Sequence, residues 1–343
     1  MRTAFGEEFD VPDGYLNTAS IGIPPVRVAE AVAAAVADWR RGCADPPQFD
    51  PAIASARAGF AALAGVPPER VAIGAAVSGL VGLIAASLRA GTRVVVREGD
   101  FTSVTFPFAV QAARGVVVEE VPPAELAARA ADADLVAAGV VQSADGAILD
   151  LDGMRAAQAT GTTVVLDATQ SLGWLDADLA WADVVAGAGY KWLLAPRGGA
   201  WMAVREGLEA DLEIVPHQAG WFAGDDPWDT VYGLPLRLAP DARAFDLSPA
   251  WFSHVGAAEA LPWLAGLDRV AVRTHCAGLA DALRAELGMP AAGSAIVAVP
   301  GEDVPERLAA AGVRSSVRAG AARLAFHLYN DENDLDRVVA ALR

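Results

Sequence analysis

Residues Thr163 to Ala200 read TVVLDATQSLGWLDADLAWADVVAGAGYKWLLAPRGGA. An apolar run from Thr163 to Leu166 closes on a carboxylate at Asp167, and Gln170 follows shortly after. A second run, Ala182 to Ala186, passes through Gly187 and Gly189 into Tyr190, Lys191 and Trp192, then into Pro196, Arg197, Gly198 and Gly199. Short apolar runs bounded by glycine and polar residues read as buried strands. Open α/β sheets place their ligands outside the carboxyl ends of such strands, so both polar clusters fall where a site is expected.

An acid and an amine in this order suit pyridoxal 5′-phosphate, which needs a lysine for its covalent link and a carboxylate facing its ring nitrogen. Singly, Asp167 and Lys191 read as ordinary turn residues; together, on two strand ends, they point to that cofactor.

At 343 residues the chain has room for two domains around a substantial core. Its 54% hydrophobic content and mean hydropathy of +0.32 come largely from alanine-rich helices. Lys and Arg number 26 against 43 Asp and Glu, a formal charge of −17, which disfavours nucleic acid and anionic membranes as partners. The opening MRTAFGEEFDVPDG is acidic and lacks the apolar core of a signal peptide, so a cytoplasmic location is expected. Val71 to Leu88 is an uncharged run at the lower length limit for a membrane span, but its Gly74, Ser78, Gly79, Gly82 and Ser87 read as a strand end and a buried helix. Cys43 and Cys276 lack metal-ligand spacing, so no metal is expected and a reducing compartment fits.

Strand and helix patterns alternate from about residue 71 to 204, which predicts a mainly parallel sheet with helices on both faces. Ahead of it, the loop at Asn17 leads through Pro25 into a helix over Val26 to Arg40, and a second helix is expected over Ala52 to Leu63. Ala76, Val77 and Ser78 precede a helix over Leu80 to Leu88; small residues there admit an anion to the backbone N–H groups, or mark a plain helix start. The glycines fit neither a Walker loop nor a dinucleotide fingerprint. Phe101 follows the strand Arg93 to Val96 and reads, by residue type alone, as a core ring. A strand over Leu135 to Val141 runs into Gln142 and Ser143. Beyond the aromatic and acidic stretch Trp221 to Trp228, helices are expected over Val255 to Leu267 and Arg269 to Leu287. Strands follow at Ala295 to Val299, Val313 to Val317 and Arg323 to His327.

Taken in order, Tyr15-Leu16-Asn17, the small residues at 76–78, Asp167 with Gln170, Tyr190-Lys191, Arg243-Ala244-Phe245-Asp246-Leu247-Ser248 and the ending from Arg323 to Tyr329-Asn330 resemble the class V aminotransferases of pyridoxal phosphate fold type I. The resemblance covers nearly the whole chain. It implies an α/β large domain over residues 15–250, with a mainly parallel seven-stranded sheet sandwiched by helices. Residues 1–14 and 251–343 would form a small α+β domain, and two chains would share active sites as a homodimer.

The same resemblance assigns roles. Lys191 would hold the cofactor and move the substrate's α-proton, Asp167 would face the ring nitrogen, Gln170 would donate to the phenolate oxygen, and Phe101 would cover a ring face. Ala76, Val77, Ser78 and Tyr190 would serve the phosphate, and Ser143, with Gln142 beside it, the ring hydroxyl. Trp221 and Ser248 would reach the cofactor across the dimer interface. Arg323 would clamp the substrate's α-carboxylate, a task for a bidentate guanidinium, with Asn17 lining the substrate pocket.

Departures narrow the reaction. Many relatives carry Ser-x-His before the lysine, where this chain has Ala188, Gly189 and Tyr190. Cysteine desulfurases need a loop cysteine shortly before the arginine; Val317 to Ala322 holds none, so persulfide transfer is not expected. The chain is most similar to the hercynylcysteine sulfoxide lyase family of ergothioneine biosynthesis, which implies a carbon–sulfur lyase releasing pyruvate and ammonia. Rival expectations are a kynureninase-like hydrolase, a class V aminotransferase or epimerase, and a non-catalytic cofactor-binding regulator. Trp221, Phe222 and Trp228 beside Asp225 and Asp226 suit either a quaternary ammonium or aromatic packing at an interface.

Overall fold

In the computed structural model, which describes residues 1–343, an antiparallel hairpin of β1 (Arg2–Ala4) and β2 (Glu7–Phe9) precedes α1 (Val26–Arg40) and α2 (Asp50–Ala64). Strands and helices then alternate: β3 (Val71–Gly74), α3 (Val77–Ser87), β4 (Arg93–Arg97), α4 (Thr102–Ala109), β5 (Val117–Val121), α5 (Leu126–Ala130) and β6 (Leu135–Gly139). Next come α6 (Leu151–Ala159), β7 (Thr163–Asp167), β8 (Val184–Ala188), β9 (Ala200–Val204) and the short α7 (Leu208–Asp211). The remainder comprises α8 (Trp251–Ala265), α9 (Arg269–Glu286), β10 (Ile296–Pro300), α10 (Val304–Ala310), β11 (Ser316–Arg318), β12 (Ala321–Ala325) and α11 (Glu332–Leu342).

Seven strands form one sheet in the order β3-β9-β8-β7-β6-β4-β5. The pairs from β8 through to β5 are parallel, and β9 runs antiparallel to both β8 and β3. Successive side chains of a strand point to opposite faces. Val95, Val164, Leu166 and Val185 accordingly join the core beneath α2 and α8, while Val94, Val96, Val165 and Val184 join the core beneath α3 and α4. With both faces covered, continuous valine runs are the pattern a parallel sheet requires. The fold is the α/β, fold-type-I arrangement expected from the sequence.

From β4 the chain proceeds to β5 on one side and from β6 onward on the other, so the crevice between the ends of β4 and β6 is the sheet's switch point. Such a crevice is where a ligand sits. Asp100 closes its floor: the carboxylate accepts from Gly139 N at 2.6 Å and from Phe101 N at 3.2 Å.

A buried ion pair fixes the other edge. Arg57 on α2 meets Asp246 through Nη2–Oδ2 at 2.6 Å and Nη1–Oδ1 at 3.1 Å, and Asp246 Oδ1 also accepts from Ile73 N at 2.8 Å. The helices α2 and α8 pack closely because Gly59 has no side chain; a Cβ there would lie 2.6 Å from Leu261 Cβ. The second sheet, β10-β12-β11, is antiparallel and shares an apolar layer with α9 and α11 through Leu283, Val297, Phe326 and Val338. Asp334 ties the chain's two ends: it accepts from Gly14 N at 2.7 Å, from Arg2 Nη2 at 3.0 Å and from Asn330 Nδ2 at 2.8 Å.

Several boundaries move from their expected places. The run Val71 to Leu88 divides into β3 and α3, and α3 begins at Val77 instead of Leu80. No helix is long and apolar enough to cross a membrane. The strand expected to reach Val141 stops at Gly139, after which Val141 bridges back to Ile148. The strand expected over Val313 to Val317 begins at Ser316, and Arg323 lies within β12 instead of starting it. Helix α8 starts at Trp251, just past Pro249, not at Val255.

Candidate active site

A cavity of about 290 Å³ opens where the carboxyl ends of β3, β4, β6, β7 and β8 converge. Its lining includes Ala76, Val77, Ser78, Phe101, Ser143, Asp167, Gln170, Tyr190 and Lys191, all read from the sequence as site residues. Thr102, Ser103, Thr169 and Arg197 line it as well, and no sequence pattern marks them as site residues.

Lys191 stands on the turn that links β8 to the segment before β9. Gly189 N donates to Gly199 O at 3.0 Å, Ala195 N to Gly189 O at 2.9 Å and Gly22 N to Tyr190 O at 3.0 Å, so three strands of chain hold the turn. A Cβ on Gly22 would lie 2.1 Å from the Lys191 carbonyl oxygen, so the N-terminal loop can press on the turn only through glycine. The ammonium nitrogen is 5.3 Å from the Phe101 ring centre and 5.6 Å from that of Tyr190. Burial lowers the Lys191 amine to about 8; Asp167 opposes that fall, and Arg323, Arg318 and Arg197 reinforce it.

Asp167 ends β7, with Oδ1 accepting from Thr169 N at 2.8 Å. Burial pushes its carboxyl upward, while Thr169 and Lys191 favour the ionised form. The Thr169 hydroxyl also accepts from Ala188 N at 3.2 Å, joining the β7 and β8 ends. Gln170 donates through Nε2 to Ala19 O at 3.0 Å and Ser143 Oγ at 3.4 Å, and its Oε1 accepts from Trp192 Nε1 at 2.7 Å. Burial takes His327 down to about 3, so its imidazole is neutral. Its Nε2 lies 3.0 Å from the Trp192 carbonyl, which can only accept, so that nitrogen carries the hydrogen.

Helix α3 begins in the cavity wall, at Ala76 to Ser78. Ala76 precedes it in extended conformation and provides no side-chain cap, so the first-turn N–H groups lack a side-chain acceptor. An uncapped helix start attracts phosphate through those N–H groups and the helix dipole. With a buried amine, a carboxylate, a half-exposed phenylalanine ring and this anion-ready end around one cavity, the lining fits a phosphorylated pyridine aldehyde.

Five sequence-read residues lie outside this lining. Arg323 is fully buried, with its guanidinium donating to Ser20 Oγ at 2.6 Å, Ser143 O at 2.6 Å and Ser316 Oγ at 3.2 Å. Asn17 bridges to Ala325 beside it, and its buried Oδ1 has no hydrogen-bond partner. Gln142 braces loops, donating to Gly99 O and accepting from Ala144 N. Trp221 packs against Trp228 with ring centres 4.9 Å apart, and Ser248 is exposed; neither reaches the cavity of its own chain. Phe222 is buried in the core, so the aromatic stretch is no open cage within one chain.

Comparison with known proteins agrees with this geometry. The family model described as aminotransferase class V matches residues 48–291. The isopenicillin N epimerase of Streptomyces clavuligerus is 28% identical, over 84% of this chain and 83% of that protein. The uncharacterized aminotransferase YcbU of Bacillus subtilis is 30% identical, over 83% of this chain and 81% of its own. Among solved structures, the cystine C–S lyase C-DES bound to its product cysteine persulfide superposes with a TM-score of 0.83 at 19% identity, covering 97% of both chains. A C-DES mutant with glycine covalently linked to its PLP cofactor gives a TM-score of 0.84 at 19% identity, covering 97% of this chain and 96% of that one.

Proposed function

The chain belongs to the class V aminotransferase family and its cofactor is pyridoxal 5′-phosphate; from that premise we propose that it cleaves a cysteine S-conjugate by β-elimination, with hercynylcysteine sulfoxide as substrate. When bound, the cofactor supplies an electron sink next to the substrate's α-carbon. The observation that carries the reading is the buried, partly neutral Lys191 amine in one cavity with Asp167.

Lys191 Nζ takes the α-proton, and its lowered basicity leaves much of it unprotonated at mildly alkaline pH. The electron pair becomes the second Cα–Cβ bond while the C–S bond breaks, its pair leaving with the sulfur. From a sulfoxide that fragment is a sulfenic acid, which thiol reduction takes to ergothioneine. Water then divides the remaining three-carbon fragment into pyruvate and ammonia. Cys43 and Cys276 both lie outside the cavity lining, which favours release of the sulfur fragment over its capture on the protein.

The reading includes a homodimer in which Trp221 and Ser248 complete the partner's cavity. The exposed Tyr232, Leu234 and Leu236 near Trp221 favour burial of that loop against a second copy. Arg323 and Asn17 act on the substrate, Arg323 once a carboxylate displaces one of its serine partners. The free thiols suit a reducing cytoplasm.

Epimerisation is the second reading, favoured by the 28% identity to isopenicillin N epimerase across most of both chains. It asks for proton delivery to either side of the α-carbon, and Tyr190 is the second acid–base group beside Lys191. The test is incubation of cofactor-loaded protein with hercynylcysteine sulfoxide and simpler cysteine S-conjugates. Pyruvate and ammonia in equal amounts support elimination; amino acid recovered with inverted configuration and no pyruvate replaces it with epimerisation.

A further inference from the structure

Arg197 is an exposed cavity-lining residue whose guanidinium makes no ion pair and no hydrogen bond, in a chain whose acids outnumber its bases by 17. Its backbone, by contrast, is held firmly. Pro196 precedes it, Gly198 follows at φ +112°, and Ser253 Oγ donates to the Arg197 carbonyl at 2.9 Å. The guanidinium carbon lies 4.9 Å from the Tyr190 ring centre, and Lys191 Nζ lies 5.6 Å from the same ring. One aromatic ring therefore carries two cations at the cavity. The acids in the lining, Asp100 and Asp167, are engaged by backbone N–H groups and leave Arg197 unneutralised.

We propose that Arg197 selects amino-acid substrates that carry a second anionic group, a carboxylate beyond the sulfur. The proposal rests on the reading of the cavity as an amino-acid site. A guanidinium set over the Tyr190 ring on a fixed backbone, with no acid already paired to it, matches a carboxylate in bidentate fashion. The cofactor phosphate is the other oxyanion within this chemistry, and it has its own place at the uncapped start of α3.

The probes are S-carboxymethylcysteine and its uncharged counterpart S-carbamoylmethylcysteine, titrated into the cofactor-loaded enzyme while the visible absorbance of the bound cofactor is followed. The wild type is expected to bind the carboxylate about ten-fold more tightly, the scale of one charge-assisted hydrogen bond. Arg197→Gln should bring that ratio to near one with cofactor affinity unaltered, and Arg197→Lys should restore part of it. A wild-type ratio near one, or an Arg197→Gln ratio equal to the wild type's, overturns the proposal. Cofactor loss in Arg197→Gln with both ligands weakened equally assigns the arginine to the phosphate and overturns it too. A spectrum that answers to neither ligand overturns both this proposal and the amino-acid reading. Because binding is measured and no product is, a change from elimination to epimerisation leaves the test intact.

Discussion

The indole N–H of Trp192 donates to Gln170 Oε1 at 2.7 Å, so the residue after the lysine orients an amide three positions past the aspartate. With Oε1 occupied, Gln170 must present Nε2 toward Ala19 and Ser143. Trp192→Phe removes that donor and frees the amide to rotate. Turnover should fall about ten-fold and stability by about 1–3 kcal/mol, the cost of an unsatisfied buried acceptor. The decisive measurement is the visible spectrum of bound cofactor, which should shift; an unmoved band with intact turnover would remove the orienting role.

Lys191 makes stability depend on pH in the cofactor-free protein. Its amine is lowered to about 8 from 10.5 by burial, so between those values the unfolded chain binds more protons than the folded one. Stability therefore rises with pH across that window, by up to about 3 kcal/mol, and below it the full cost of burying the ammonium is present. Urea unfolding of wild type and Lys191→Ala at pH 7 to 11 tests this, since other groups cancel in the difference. A flat difference curve would contradict it. Lys191→Ala should also lower turnover by at least about 1000-fold, consistent with loss of a general base and covalent anchor.

Asp246 links a buried arginine to the edge of the sheet. Arg57→Ala would leave its carboxylate buried without its cation, a loss of about 3–5 kcal/mol. Because Asp246 also holds Ile73, one residue before the end of β3, cofactor affinity should weaken in parallel. Denaturation and cofactor titration of the same variant check both effects; full stability with the pair broken would refute the first.

Gly22→Ala should be out of proportion to its size. The added carbon would meet the Lys191 carbonyl, and the loop must shift to admit it. A loss of about 1–3 kcal/mol is expected, as for overpacking elsewhere, with a larger fall in turnover than Gly82→Ala, where the space is open. Equal behaviour of the two variants would show that the loop yields freely.

The strand ends carried most of what could be read from the chain. Asp167 and Lys191 were legible because valine and alanine runs announce buried strands and a polar residue after such a run lies at a carboxyl end. Strand order was not, since alternation and run length look alike for β8 and for β9, which returns antiparallel between β8 and β3. Trp192, Thr169 and Asp100 are not legible for a related reason: each acts across two strand ends that only the folded register brings together. The substrate-clamp role expected of Arg323 comes from the family resemblance of the ending through Tyr329-Asn330, and no sequence pattern tells that three serines from separate segments surround its guanidinium.

The knot at Asp334 has a bearing on biogenesis. A nascent chain emerges N-terminus first and its early segments fold as they appear. Here Arg2 of the first hairpin and Gly14 share a carboxylate partner, Asp334, that lies on α11. The contacts of Arg2 and Gly14 with Asp334 can therefore close only once α11 has been made, whereas the β1–β2 pairing and the Arg2–Asp13 ion pair need nothing so late.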